Sequence, residues 1–235
     1  MAPPDYKIPE LDLSEVTFVE LLQELEDEHS KYSKLENPRN CVVRARWLEK
    51  DCVVKVFHHI PREDAHTPDH EPDPFTNETR AYSRLKARGF CERGDIPDVY
   101  GVIKQINPRS EGWEKILYNF FEDDTRPSAI VIEYIPNSGI INLPNFSYAA
   151  LKKLRHILAE MHEAWVEHSD PYPRNMLLQE GTGRALWIDF DVARTYTPGM
   201  VTERQRSWFV GELNVMDQFI EALVSTESLS FIMQN

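Results

Sequence analysis

The run His168-Ser169-Asp170-Pro171-Tyr172-Pro173-Arg174-Asn175, followed by Trp187-Ile188-Asp189-Phe190-Asp191, holds the side chains best suited to chemistry. Transfer of a phosphoryl group from a nucleotide needs a carboxylate beside the acceptor hydroxyl, and hard oxygen ligands that hold Mg2+ against the phosphates. Asp170 is a carboxylate of the first kind; Asn175 and Asp189 supply oxygens of the second. The competing reading is that all three cap turns, which Asp and Asn favour in any protein. Arg174 fits two roles, support of the transferred phosphate or a surface cation. His168 reads as a residue that holds the loop rather than a proton carrier.

Such a loop needs elements that bring its ends together. Upstream, Leu151, Leu154, Leu158, Met161 and Trp165 form the strongest helical stripe in the chain. Downstream, residues 175–179 and 185–190 read as strands joined by the turn Gly181-Thr182-Gly183. Further strands are expected at 41–45, 52–57, 99–106 and 129–135, with a helix over 75–88 that aligns Glu78, Tyr82 and Leu85. Residues 113–121 fit either strand or helix. Phe18, Leu21, Leu22 and Leu25 fall at i, i+3, i+4 and i+7 and predict a helix from Ser14, after a loosely held Pro-bearing arm over 1–12. The stretch 58–74 reads as a loop whose His58, His59, His66 and His70 match no closed metal spacing. Residues 137–145 form a polar connection suited to an interlobe hinge, and 202–232 read as two short helices. A strand-rich first half and a helix-rich second half predict an α+β fold.

With these elements in order, the chain resembles the protein-kinase-like superfamily. His168, Asp170 and Asn175 match the spacing of its catalytic loop, H-x-D-x-x-x-x-N. Residues 161–168 look like the stretch which that superfamily writes Leu-His-x-x-Gly-Ile-x-His. Val53-Val54-Lys55-Val56 looks like the strand carrying its phosphate-binding lysine, and Glu78 sits where the lysine's glutamate partner would sit. The run ending in Glu133-Tyr134-Ile135 resembles the hinge that takes an adenine ring. The resemblance covers residues 30–195, and small kinase-like proteins of filamentous fungi are the group it brings closest. It implies a bilobal fold: an arm over 1–12, a strand-rich N-lobe over 13–136 with an N-terminal helix, and a shortened helical C-lobe over 137–235.

The match departs from the pattern in several places. Where a glycine-rich loop belongs, Lys34-Leu35-Glu36-Asn37-Pro38-Arg39-Asn40 has no glycine, so the backbone has less freedom to close over phosphates. Asp191 replaces the glycine of Asp-Phe-Gly, and no Ala-Pro-Glu motif follows. Ser169 stands in for an arginine that pairs with phosphorylated activation loops, which argues against that form of regulation. Tyr172 takes the place of a lysine typical of serine/threonine kinases. A small residue at Ser169 is closer to aminoglycoside and choline phosphotransferases.

Composition narrows the partners. A net charge of −13 and a pI near 5.1 argue against nucleic acid and anionic membrane surfaces, both of which require displaced counterions and exposed cations. Three cysteines without C-x-x-C spacing suggest neither a disulfide framework nor a zinc ribbon. Met1 to Glu15 lacks the basic and apolar regions of a signal peptide, and no apolar run is long enough for a span; the expected location is the cytoplasm.

The resemblance thus implies ATP and Mg2+ as cofactors. Lys55 would contact the nucleotide phosphates while pairing with Glu78, Glu133 and Ile135 would meet the adenine, Asn175 and Asp189 would hold the metal, and Asp170 would orient the acceptor. The expected reaction moves the γ-phosphate to a hydroxyl of a small molecule rather than of a protein, because the peptide platform is absent. Two other readings stand beside it: a pseudokinase that scaffolds a protein partner, and a kinase-fold enzyme of another reaction, such as an aminoacyl-tRNA-dependent cyclodipeptide synthase. The latter needs a tRNA partner, against which the net charge counts.

Overall fold

The structure, a computed structural model, describes residues 4–23, 40–61, 71–142 and 144–233. It is an α+β protein whose chain splits into two compact units. One comprises Lys7–Thr79 and Asp98–Tyr134; the other comprises Met1–Tyr6, Arg80–Pro97 and Ile135–Asn235.

The first unit is built on five strands: β1 (Val16–Gln23), β2 (Cys41–Trp47), β3 (Lys50–Phe57), β4 (Val99–Ile103) and β5 (Ser128–Glu133), in the order β1-β2-β3-β5-β4 with every neighbour antiparallel. Strand β3 is central and alternates. Cys52, Val54 and Val56 join an apolar cluster with Val43, Ala45, Val131 and Trp113, while Val53, Lys55 and Phe57 take the other face. Leu48 and Glu49, both at positive φ, turn β2 into β3, which the two-residue hairpin requires even of residues that rarely adopt it.

Helix α1 (Pro74–Lys86) starts where local chemistry dictates. Asp73 accepts the Thr76 amide at 2.9 Å as an N-cap, and Pro74 enters at the first helical position, where no backbone donor is needed. Its first turns lie on the open face of β3, with Phe75 against Phe57 at 6.1 Å between ring centroids.

The segment expected to be a helix from Ser14 is instead strand β1, paired with β2 from Val16↔Trp47 onward. Val16, Thr17 and Val19 are β-branched and lose side-chain freedom in a helix, and the strand gains a ladder that an isolated helix lacks. Leu25 lies outside the described residues. Nor is the arm loose over its described part. Pro9 and Leu11 bond to Val102 of β4, and a Cβ at Gly101 would overlap Leu11, so the close approach needs glycine. Residues 113–121 are turns and a short 3-10 helix (Tyr118–Phe120) that feed Trp113, Leu117 and Phe120 into the cluster.

The second unit holds the latter half of α1, then α2 (Phe90–Arg93), β6 (Ser138–Ile140), α3 (Tyr148–Glu163), β7 (Val166–Glu167), β8 (Met176–Gln179), β9 (Arg184–Trp187), β10 (Arg194–Thr195) and α4 (Glu203–Met233). Ser147 caps α3 by accepting the Ala150 amide at 3.1 Å, and Leu151, Leu154, Ile157, Leu158 and Met161 are its buried stripe. Each buried side chain of that kind contributes about 1.5–3 kcal/mol. Strands β6, β8 and β9 form one small sheet and β7 with β10 another. The expected hinge over 137–145 therefore contains a strand, with Gly139 opposite Leu178. The last stretch is one helix rather than two, because Gly211 lowers helix propensity without breaking the hydrogen-bond ladder. At the arm's start, Asp5 forks onto Arg84, whose Nη1 also donates to the Ala164 and Tyr196 carbonyls at 3.2 and 3.0 Å. No helix among the described residues is long and apolar enough to cross a membrane.

Candidate functional site

In the first unit, Lys55 reaches Glu78 at 2.7 Å. The register places Lys55 between Val42 of β2 and Ile130 of β5, and α1 carries Glu78 over the same face. The two side chains are 10% and 1% exposed, so the pair lies almost wholly out of water. Glu133 ends β5 with its amide bonded to the Asp98 carbonyl at 2.7 Å and its carboxylate accepting the Asp98 amide at 3.1 Å. Ile135 belongs to the second unit; it is buried, and its carbonyl accepts the Ser138 hydroxyl at 2.8 Å. The glycine-free stretch 34–39 lies outside the described residues, as do His66 and His70. His58 pairs with Asp123 at 2.8 Å, and His59 with the helix-capping Asp73 at 3.3 Å. Among the described residues no three His, Cys, Asp or Glu gather into a metal cluster.

In the second unit, the loop after β7 is braced from several directions. Pro173 opens a short 3-10 turn (Pro173–Asn175), and the Tyr172 amide bonds to the Asp170 carbonyl at 2.8 Å. Asn175 is buried, and its Nδ2 donates to the Asp170 carbonyl at 2.9 Å and to Asp170 Oδ2 at 2.7 Å. These bonds use the Asn175 amide nitrogen and leave its Oδ1 as an acceptor. The Ile188 amide bonds to the Asn175 carbonyl at 3.0 Å, which places Asp189 next along the chain at a positive φ of 67°. An amide oxygen and a carboxylate are the donor types that suit a hard divalent cation such as Mg2+.

His168 is fully buried, with Nε2 3.1 Å from the Ile188 carbonyl and its ring packed between Trp187 and Phe190. It couples the loop to the segment bearing Asp189, the holding role expected of it. Trp187 is core, its indole donating to the Leu154 carbonyl at 2.9 Å. Asp170 is forked by Arg174, which donates through Nε to Oδ2 at 3.0 Å and through Nη2 to Oδ1.

One residue escaped the sequence reading. Glu212 of α4 accepts the backbone amides of His168 and Ser169 at 3.2 and 2.5 Å and pairs with His162 Nε2 at 2.6 Å. Its carboxylate holds Ser169 at a φ of 65°, a conformation that costs a non-glycine residue energy unless its surroundings impose it. A signal was present: Glu212 shares the buried face of α4 with Met216, Ile220 and Leu223, an acid on an apolar stripe. Beside it, burial pushes the Glu167 carboxyl above the usual carboxylate range against the opposing pull of the Tyr196 hydroxyl and Arg194.

Residues 144–227 match the model of the lipopolysaccharide kinase (Kdo/WaaP) family. Myosin light chain kinase 3 of Danio rerio is 29% identical over 130 residues, which are 51% of this chain and 18% of that kinase. The chain thus spans less than a fifth of the length of this relative. The two matches support a kinase-like superfamily for the chain. The family match takes in Asp170, Asn175, Asp189 and Glu212, and leaves out Lys55 and Glu78.

Proposed function

We propose that the chain is a kinase-like phosphotransferase of bilobal fold that moves the γ-phosphate of ATP to a hydroxyl of a small molecule in the cytoplasm. The observation that carries this reading is the loop in which Asn175 binds Asp170 and its carbonyl receives the Ile188 amide, because it ties the acceptor-side carboxylate to the backbone that leads into Asp189. Lys55, paired with Glu78, takes the nucleotide phosphates, and the segment from Glu133 to Ile135 takes the base. Asn175 and Asp189 would hold Mg2+, which would neutralise charge on the phosphates. Asp170 accepts the acceptor's proton as its oxygen bonds to the γ-phosphorus; the bond from that phosphorus to the bridging oxygen breaks and ADP leaves.

The test is a calorimetric titration with ATP, with and without Mg2+, on the wild type and on Asp189→Ala, followed by turnover of Asp170→Asn. Binding that depends on Mg2+ and is lost in Asp189→Ala is the expected result. Absence of ATP binding under both conditions overturns the reading and favours a pseudokinase scaffold, for which the glycine-free stretch and Asp191 speak.

A further inference from the structure

The Asp170–Arg174 fork is asymmetric in a way that bears on the acceptor. Oδ2 receives Arg174 Nε and Asn175 Nδ2, whereas among the described residues Oδ1 receives Arg174 Nη2 alone. Oδ1 therefore keeps a lone pair for an acceptor hydroxyl, and that hydroxyl must stand beside the guanidinium. Arg174 spends two of its five N–H donors on Asp170; its Nη1 has no hydrogen bond among the described residues. The Arg174 side chain is 66% exposed against 20% for Asp170, and its guanidinium carbon lies 5.0 Å from the centroid of the Tyr172 ring, itself 46% exposed. The outer edge formed by Nη1 and the second N–H of Nη2 is a planar donor pair open to solvent, the geometry that matches a carboxylate or phosphate.

We propose that Arg174 is a specificity-determining residue that receives an oxyanion carried by the acceptor next to the hydroxyl oriented by Asp170. The acceptor is then a hydroxylated phosphate or carboxylate and not an amino alcohol. This rests on the phosphotransferase reading. The overall charge of −13 sharpens it, since most of the surface repels an anion and its capture needs a dedicated cation at the reacting end. Tyr172 supplies the floor on which the guanidinium keeps its outward orientation.

The experiment loads the protein with Mg2+ and a non-hydrolysable ATP analogue and titrates it with inorganic phosphate, glycerol 3-phosphate, glycerol and choline, for wild type, Arg174→Ala and Arg174→Lys. Wild type is expected to bind the two anions and neither glycerol nor choline. Arg174→Ala should bind them about tenfold more weakly or worse, the scale of a lost charge-assisted fork, and Arg174→Lys should recover part of that loss. Analogue binding by each variant checks its fold. Equal anion affinity in wild type and Arg174→Ala, no anion binding by the loaded wild type, or a preference for choline overturns the assignment of Arg174 alone. Failure of the wild type to bind the analogue overturns the phosphotransferase reading and this inference with it.

Discussion

Glu212 Oε1 accepts the Ser169 amide at 2.5 Å across 43 positions of sequence, so a helix near the end of the chain sets the backbone of the residue preceding Asp170. The same carboxylate also takes the His168 amide and His162. Together these contacts make the loop's shape a property of helix packing, with α3 and α4 further joined by Arg155 and Asp217 at 2.5 and 2.7 Å.

Removal of Glu212 should therefore loosen the loop as well as the fold. Glu212→Ala strands the buried His168 amide, the part-buried Ser169 amide and His162, and we expect a destabilisation of about 3–5 kcal/mol, the range for breaking a buried polar network. Glu212→Gln, which keeps an acceptor, should lose less. Urea denaturation of both variants measures this; a Glu212→Ala midpoint equal to wild type would mean that the carboxylate does not brace the loop.

The Lys55–Glu78 pair allows stability to be separated from function. Lys55→Met removes one member of a buried pair, at a cost of about 3–5 kcal/mol, whereas adding Glu78→Leu removes the other and should recover most of it. A double-mutant cycle by urea denaturation tests the coupling, and strictly additive single effects would refute it. On the proposed function, the recovered double variant should still fail to bind ATP, because the cation proposed to take the phosphates is gone.

Burial pushes the thiols of Cys41 and Cys52 up to about 11, and in Cys52 the neighbouring Asp51 charge adds to the effect. An unfolded thiol titrates near about 8.5. Because the folded values are the higher ones, the thiols favour the folded state fully below the unfolded value, and that contribution is lost as pH rises through the folded value. The wild type should lose more stability between about pH 8 and pH 11 than a Cys41→Ala/Cys52→Ala variant does, measured by urea midpoints at each pH. In the folded wild type at neutral pH, iodoacetamide should label both thiols far more slowly than in urea, as followed by mass spectrometry. Equal labelling in the two states would contradict the buried environment.

Much of the site was legible in the linear sequence because its parts are local. The spacing of His168, Asp170 and Asn175 is a property of one loop, and the Leu151-to-Met161 stripe and the Gly181-Thr182-Gly183 turn are short-range patterns that fold as read. The pairing of Lys55 with Glu78 was expected by resemblance and is found at 2.7 Å. The N-terminal segment was misread because Phe18, Leu21 and Leu22 fit a helical period while Val16, Thr17 and Val19 fit a strand. Only the available partner, strand β2, resolves that ambiguity.

Sequence alone determined which residue types could bear the chemistry and in what local order, since loop spacing, helix caps and hydrophobic periods act over a few residues. Tertiary structure alone decided which carboxylate would brace the loop, how Arg174 would divide its donors between Asp170 and solvent, and where β1 would find its ladder. Those outcomes depend on desolvation and on hydrogen bonds between groups far apart in the chain, whose energies exist only once packing has excluded water.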